Sequence, residues 1–186
     1  MPAPADRLPD REHPTHVADP EVFTAVFRRF YTPLIRYARR LTGDGVSAAD
    51  VLQDVFAKLW EDRHRITVEV SLQALLYTMV RNRALNLRRR AHRHAPDVDV
   101  EALRDHAGEA PDGSDATEAN ELRRHLYRWV SELPPRRAEA FTLSRYHGLS
   151  HAEIAALMGV SVRTVDTHIL LALRELRRRL DALHQP

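Results

Sequence analysis

From Ser150 to Leu180 the chain sets hydroxyl, imidazole and guanidinium side chains at helical spacing. With Val162, Val165, Ile169, Leu173, Leu176 and Leu180 turned inward, a rotation of about 100° per residue points Arg163, Thr167 and Arg174 outward. Thr164 and His168 then lie on one flank and Asp166 on the other. Short polar groups near a helix start, here Ser161, Arg163, Thr164, Thr167 and His168, suit hydrogen bonding to base edges in a DNA major groove. Arg136 and Arg137 begin the helix beside this motif and suit phosphates. Asp166 has two readings. It is a first-turn acid favoured by the helix dipole and paired with Arg163, or it accepts a hydrogen bond from cytosine N4.

The elements that position these groups form a helix-turn-helix. Ser150 caps a short helix carrying Ile154, Ala155 and Met158. Gly159 supplies the left-handed turn residue, Val160 plugs the turn, and Ser161 caps the reading helix. The rival is an ordinary helical hairpin with no DNA role.

Almost everything else periodic is also helical; only "ITVEV", from Ile66 to Val70, alternates like a short strand. Asp19-Pro20 predicts a helix start, after which Val22, Phe23, Val26, Phe27 and Phe30 share a face. Thr32-Pro33 predicts a kink or restart. Leu34, Ile35, Ala38 and Leu41 continue the stripe until "TGDG". Ser47 and Asp50 have capping-box spacing before "ADVLQDVFAKLW", whose Val51, Leu52, Val55, Phe56, Leu59 and Trp60 face inward. Asp50, Gln53, Asp54 and Lys58 remain outside. Phe56, Trp60 and Trp129 read as core. The reading is all-α, with two small helical domains over 19–94 and 119–186. A leader over 1–18 and a flexible acidic linker over 95–118 complete the chain.

The net charge of +2 hides segregation. Arg81 to His94 holds six arginines and no acid, whereas Ala95 to Glu118 holds eight acids against Arg104. Such blocks point to a polyanion partner and a segment that avoids or mimics it. With no cysteine, disulfides and thiolate zinc sites are excluded. His92 and His94 lack a third ligand at clear spacing, so no metal is expected. No apolar run reaches the roughly 18 residues of a membrane span. There is no phosphate loop, nucleophile motif or carboxylate pair to suggest an enzyme, and no cofactor is expected.

"FTAVFRRFYTPLIRYARRLTGD", "AADVLQDVFAKLWED" and "LLYTMVRNRALNLRRR" together resemble region 2 of bacterial RNA polymerase sigma factors of the extracytoplasmic-function (ECF) group. "LPPRRAEAFTLSRYHGLSHAEIAALMGVSVRTVDTHILLALRELRRRL" resembles their region 4. The resemblance implies a cytoplasmic protein that gives RNA polymerase its promoter specificity, with core polymerase and promoter DNA as partners. It also leaves room for an anti-sigma factor.

Site roles follow from the resemblance. Asp50, Gln53 and Asp54, joined by Arg36, Arg39 and Arg40, would dock on the clamp helices of the largest subunit. Arg63, Arg65, Tyr77, Arg81, Asn82, Asn86, Arg88 and Arg89 would hold the melted −10 strand, since single strands bind cationic grooves with stacking surfaces. Ser161, Arg163, Thr164, Asp166, Thr167 and His168, with Arg136 and Arg137, would read the −35 duplex.

Three departures stand out. Leu75 occupies a position where many relatives carry tryptophan, which leaves stacking to Tyr77. "NLRRRAH" runs one residue out of register. Asp166, Leu170 and Leu171 stand where relatives are often basic, so the two leucines suggest a protein-facing surface such as the polymerase flap. The rival family is the LuxR-type regulators, whose DNA-binding domain shares "LS..EIA..MGVS..TV..H".

Overall fold

Asp19 and Pro20 start the first helix as their types predict. The Asp19 carboxylate accepts the Glu21 backbone N–H at 2.8 Å, and Pro20 opens α1 (Pro20–Thr42). The computed structural model describes residues 17–66, 71–94 and 118–183. Contrary to the expected restart, α1 runs through Pro33. Its buried stripe, Val26, Phe30, Leu34, Tyr37 and Ala38, passes the proline without losing register. Burial on both sides outweighs one missing backbone donor. Gly43, at φ 87°, ends the helix in the left-handed conformation.

Helix α2 (Gly45–Glu61) is capped by Asp44, whose Oδ1 accepts the Ser47 N–H at 2.6 Å. The expected Ser47–Asp50 box is therefore displaced by an acid three residues earlier, a strong capping type. Ser71 Oγ accepts the Ala74 N–H at 3.0 Å and opens α3 (Leu72–His94). These three helices bury Leu34, Leu52, Leu59, Leu76 and Val80 completely. Phe56 is core as expected, but Trp60 is only half-buried, edge-on to Phe23 at 4.9 Å and under the Arg63 guanidinium at 4.1 Å. Val17, read as leader, is buried in this core. Ile66 packs at its edge, while Thr67–Val70, the rest of the expected strand, lie outside the described residues.

The second group comprises α4 (Glu118–Ser131), α5 (Pro135–Arg145), α6 (His151–Met158) and α7 (Val162–Leu183). Trp129, Val130, Leu133, Phe141, Ala172 and Leu176 form one apolar cluster between α4, α5 and α7. All regular structure among the described residues is helical, as expected. The two small helical domains also touch one another. Helix α3 packs on α6, and one buried cluster runs from Tyr37, Tyr77 and Val80 into Ala140, Leu143, Leu149 and Ile154. The acidic linker expected over 95–118 lies, up to residue 117, outside the described residues.

Gly159 stands at φ 66°, and an added Cβ would meet nothing within 4 Å. The cost of Gly159→Ala is therefore backbone conformation alone, about 1 kcal/mol. Urea unfolding should show that loss, with Gly159→Asn losing less.

Candidate nucleic-acid interface

The helix-turn-helix is built from short-range rules. Ser150 Oγ accepts the Glu153 N–H at 3.3 Å, and Glu153 returns a carboxylate oxygen to the Ser150 N–H at 2.7 Å, closing a capping box at α6. Gly159 then reverses the chain, and α6 and α7 diverge by 107°. Ser161 Oγ accepts the Thr164 N–H at 3.1 Å and shares a 2.8 Å bond with Thr164 Oγ1. Val165, Ile169, Ala172 and Leu176 are the buried face of α7. Val162 and Leu173, expected in that stripe, are exposed, as is Leu170. Leu180 and Leu171 are half-buried.

Arg163, Asp166 and Thr167 lie on the exposed side of the reading helix, with Thr164 and His168 partly covered. Thr167 Oγ1 donates to the Arg163 carbonyl at 2.9 Å, which spends its proton within the helix. Asp166 is paired across the motif with His151 Nδ1 at 2.6 Å, not with Arg163 one turn back. Residue 151 begins α6, and the 107° crossing brings it over the first turns of α7. Arg136 is exposed at the start of α5; Arg137 is half-buried, with its Nε lacking a protein partner.

On α2, Asp50 and Gln53 are exposed. Asp54 Oδ2 accepts from Arg83 Nε at 2.6 Å, tying α2 to α3 at the surface. On α1, Arg36 is exposed, Arg39 lies beside Gly45 at the start of α2, and Arg40 turns inward. Arg40 donates to Thr142 Oγ1 at 2.9 Å, and burial lowers its pKa.

Helix α3 divides its expected strand-binding residues. Asn82, Asn86 and Arg89 are exposed, with Arg89 donating to Asn86 Oδ1. Arg88 is half-buried with an unpartnered Nε. Arg63 lies over the Trp60 ring and donates to the Trp60 carbonyl at 2.7 Å, while Arg65 is exposed. Tyr77 and Arg81, by contrast, are covered by the second group. The Tyr77 ring, 1 % exposed, sits 5.2 Å from Tyr37 and 4.8 Å from His147, and its hydroxyl meets His147 Nδ1 at 2.8 Å. Arg81 Nε donates to Glu139 Oε1 at 2.9 Å, and the Tyr37 hydroxyl donates to the same oxygen at 2.8 Å. Burial opposes the Arg81 charge, but the hydrogen bond and attraction of Glu139 outweigh it and raise its pKa. Burial, then Glu139, pushes Tyr37 well above the ordinary phenol range, so it remains a neutral donor.

Four residues here escaped sequence reasoning: Glu139, Thr142, His147 and His151. Their one signal was Glu139, an acid between Ala138 and Ala140, both of which are buried. Among the described residues no cluster of three metal-ligating side chains occurs.

The family description Sigma-70 region 2 matches residues 26–94, and Sigma-70, region 4 matches residues 123–176. RNA polymerase sigma factor CarQ of Myxococcus xanthus is 34% identical over 145 residues, covering 76% of this chain and 79% of CarQ. This chain belongs to the sigma-70 family. Its relatives place the sigma factor in the ECF group. ECF RNA polymerase sigma factor SigL of Mycobacterium tuberculosis is 30% identical over 169 residues, 89% of this chain and 93% of SigL. The ECF RNA polymerase sigma-E factor of Escherichia coli K12 is 27% identical over 175 residues, 90% and 89% of the two chains.

In fold, the sigma factor resembles RpoE in its complex with the anti-sigma factor NepR from Bartonella quintana. The TM-score is 0.64 at 20% identity over 86% of this chain and 96% of that one. It also resembles CnrH in complex with the cytosolic domain of CnrY, with TM-score 0.59 at 21% identity over 90% and 93% of the two chains. A LuxR-type reading is not favoured, because it leaves the region 2 match over 26–94 without an account. The sigma factor family comprises non-enzymatic transcription initiation factors, and the chain carries the family's two DNA- and polymerase-binding regions. Among the described residues no single helix is long and apolar enough to cross a membrane.

His147 carries a pH signature. Burial first, then the charges of Arg40 and Arg36, lower its pKa from 6.5 to about 4. It packs on Tyr77 of α3 and Tyr37 of α1. The folded, packed chain thus binds fewer protons than the unfolded chain between those values. Stability therefore rises with pH through about 4 to 6.5 and falls on acidification. The urea midpoint should drop between pH 7 and pH 5, and His147→Gln should flatten that drop.

Proposed function

We propose that the exposed α2 residues Asp50, Gln53 and Asp54, with Arg36 and Arg39, dock this sigma factor on the clamp helices of core polymerase. The face of α3 then holds the melted −10 strand and the reading helix α7 takes the −35 duplex. The observation that carries this is the order of the two matched regions, joined to the exposure of polar residues at the matched positions. The domains assigned are region 2 over 19–94 and region 4 over 119–186. Arg63, Arg65, Tyr77, Arg81, Asn82, Asn86, Arg88 and Arg89 are assigned to the single strand. Cationic groups beside an aromatic ring supply charge and stacking there. Arg40 joins the docking surface once released from Thr142.

Polymerase performs the chemistry, so this chain acts without enzymatic activity, in the cytoplasm. The complexes of RpoE with NepR and of CnrH with the cytosolic domain of CnrY support an anti-sigma partner here as well. The exposed Leu170 and Leu173 on α7 are the apolar surface offered to such a partner or to the polymerase flap.

In vitro transcription with purified core polymerase tests the reading, and failure to bind core or to initiate from any fragment of a genomic library would sink it. Asp50→Lys with Asp54→Lys should weaken core binding at least roughly tenfold, as like-charge contacts do, with duplex binding by the full chain retained. Unchanged core affinity would remove the docking assignment.

Base reading on α7 is a separate matter. Asp166 is oriented by His151, which holds the carboxylate at the flank of the reading helix. Selection from a randomised −35 element by reconstituted holoenzyme should show relaxed preference for Arg163→Ala, by about 1–3 kcal/mol at one base pair. Asp166→Ala should change a second position only if this carboxylate accepts from cytosine.

A further inference from the structure

Asp166 follows Arg163 by three residues on α7, a spacing at which opposite charges on one helix pair. Both residues are exposed, yet that ion pair does not form. Asp166 Oδ1 is instead taken by His151 Nδ1 at 2.6 Å, across the 107° crossing of α6 and α7. An ionised carboxylate only accepts, so Nδ1 carries the proton of this bond. The two side chains are 42% and 55% exposed. Neither is buried enough for packing to hold it, so the imidazole is what sets the carboxylate's place.

The consequence falls on Arg163, whose guanidinium is left with no protein partner among the described residues. Its neighbours on the exposed side of the reading helix cannot replace it as a donor. Asp166 has no proton to give, and Thr167 spends its own on the Arg163 carbonyl at 2.9 Å. Guanine presents two acceptors and no donor on its major-groove edge, and a guanidinium pairs with both. Of these three side chains, only Arg163 can select guanine, and only while the adjacent acid is turned elsewhere.

From this we infer that His151 is a positioning residue that sets base specificity at the −35 duplex by diverting Asp166 from Arg163 and so keeping the guanidinium free for guanine. Without the imidazole, the carboxylate turns to the cation one turn back. An exposed pair of that kind is weak, so the preference is blunted by roughly two- to fivefold and not abolished. The inference rests on the assignment of α7 to the −35 duplex, and the experiment separates the two.

Reconstituted holoenzyme is bound to promoter fragments that carry each base pair in turn at the −35 position whose preference Arg163→Ala relaxes. Phosphate contacts carry no sequence information, so they cancel in the ratios among the four fragments. His151→Ala should lower the preference for guanine by roughly two- to fivefold. His151→Asn should retain it, because its amide nitrogen sits at the same remove from the backbone as Nδ1 and donates as Nδ1 does. Asp166→Ala alone should also retain it. The double variant, His151→Ala with Asp166→Ala, should regain the parent preference, since no carboxylate remains to occupy Arg163. Circular dichroism checks helix content in each variant.

An intact preference in His151→Ala overturns the inference. So does a double variant that stays as relaxed as His151→Ala, the result expected if the imidazole only held α6 against α7. Loss of preference in Asp166→Ala alone overturns it too, because the acid would then be helping Arg163. If Arg163→Ala relaxes no position, the assignment of base reading to Arg163 fails, and the role of His151 falls with it.

Discussion

Glu139 brings a carboxylate to the one place where the two halves of the chain must agree. Leaving water costs a carboxylate several kcal/mol unless strong donors replace it. Here a neutral phenol from α1 and a guanidinium from α3 converge on the same oxygen. Each donor is useful only if α5 stands at one height and one angle against the other two helices. An apolar contact tolerates sliding; this arrangement does not. The apolar residues nearby, Ala140, Leu143 and Val80, supply burial, and the acid supplies registry. Arg40 on Thr142, and His147 on Tyr77, bridge the same two halves.

The reading motif depends on none of this. Its capping box, its left-handed glycine and its second serine cap are satisfied within about fifteen residues of chain. That locality is why it was legible. Ser150, Gly159 and Ser161 each have a type that one backbone conformation requires. The buried stripe of α2 was legible for a similar reason, because six apolar residues at helical spacing admit one face.

What escaped was long-range. Asp166 had a plausible partner one turn away, and no sequence rule places residue 151 nearer than residue 163. Tyr77 and Arg81 were legible as strand-binding types and illegible as covered ones, since their partners lie 58 to 70 residues further on. Val162 and Leu173 fitted the periodicity, yet the buried face of α7 runs through Val165, Ile169, Ala172 and Leu176 and leaves them in water. Pro33, read as a kink or a restart, does not end its helix, because the face on which that helix is buried continues past it. Local chemistry decided where helices begin and end, and packing decided which of their polar residues remain available.

Ser71 offers a last consequence. Its oxygen accepts the Ala74 N–H that starts α3, while its proton goes to Glu153, the acid that starts α6. The lone pair and the proton are independent resources of one hydroxyl. If the halves part, water takes the proton, and both helix starts keep the bonds that hold them. Separation therefore requires no unravelling of either helix. The motion is that of rigid bodies about a chain connection, and such motions run in microseconds to milliseconds, far faster than refolding of a domain with slow steps.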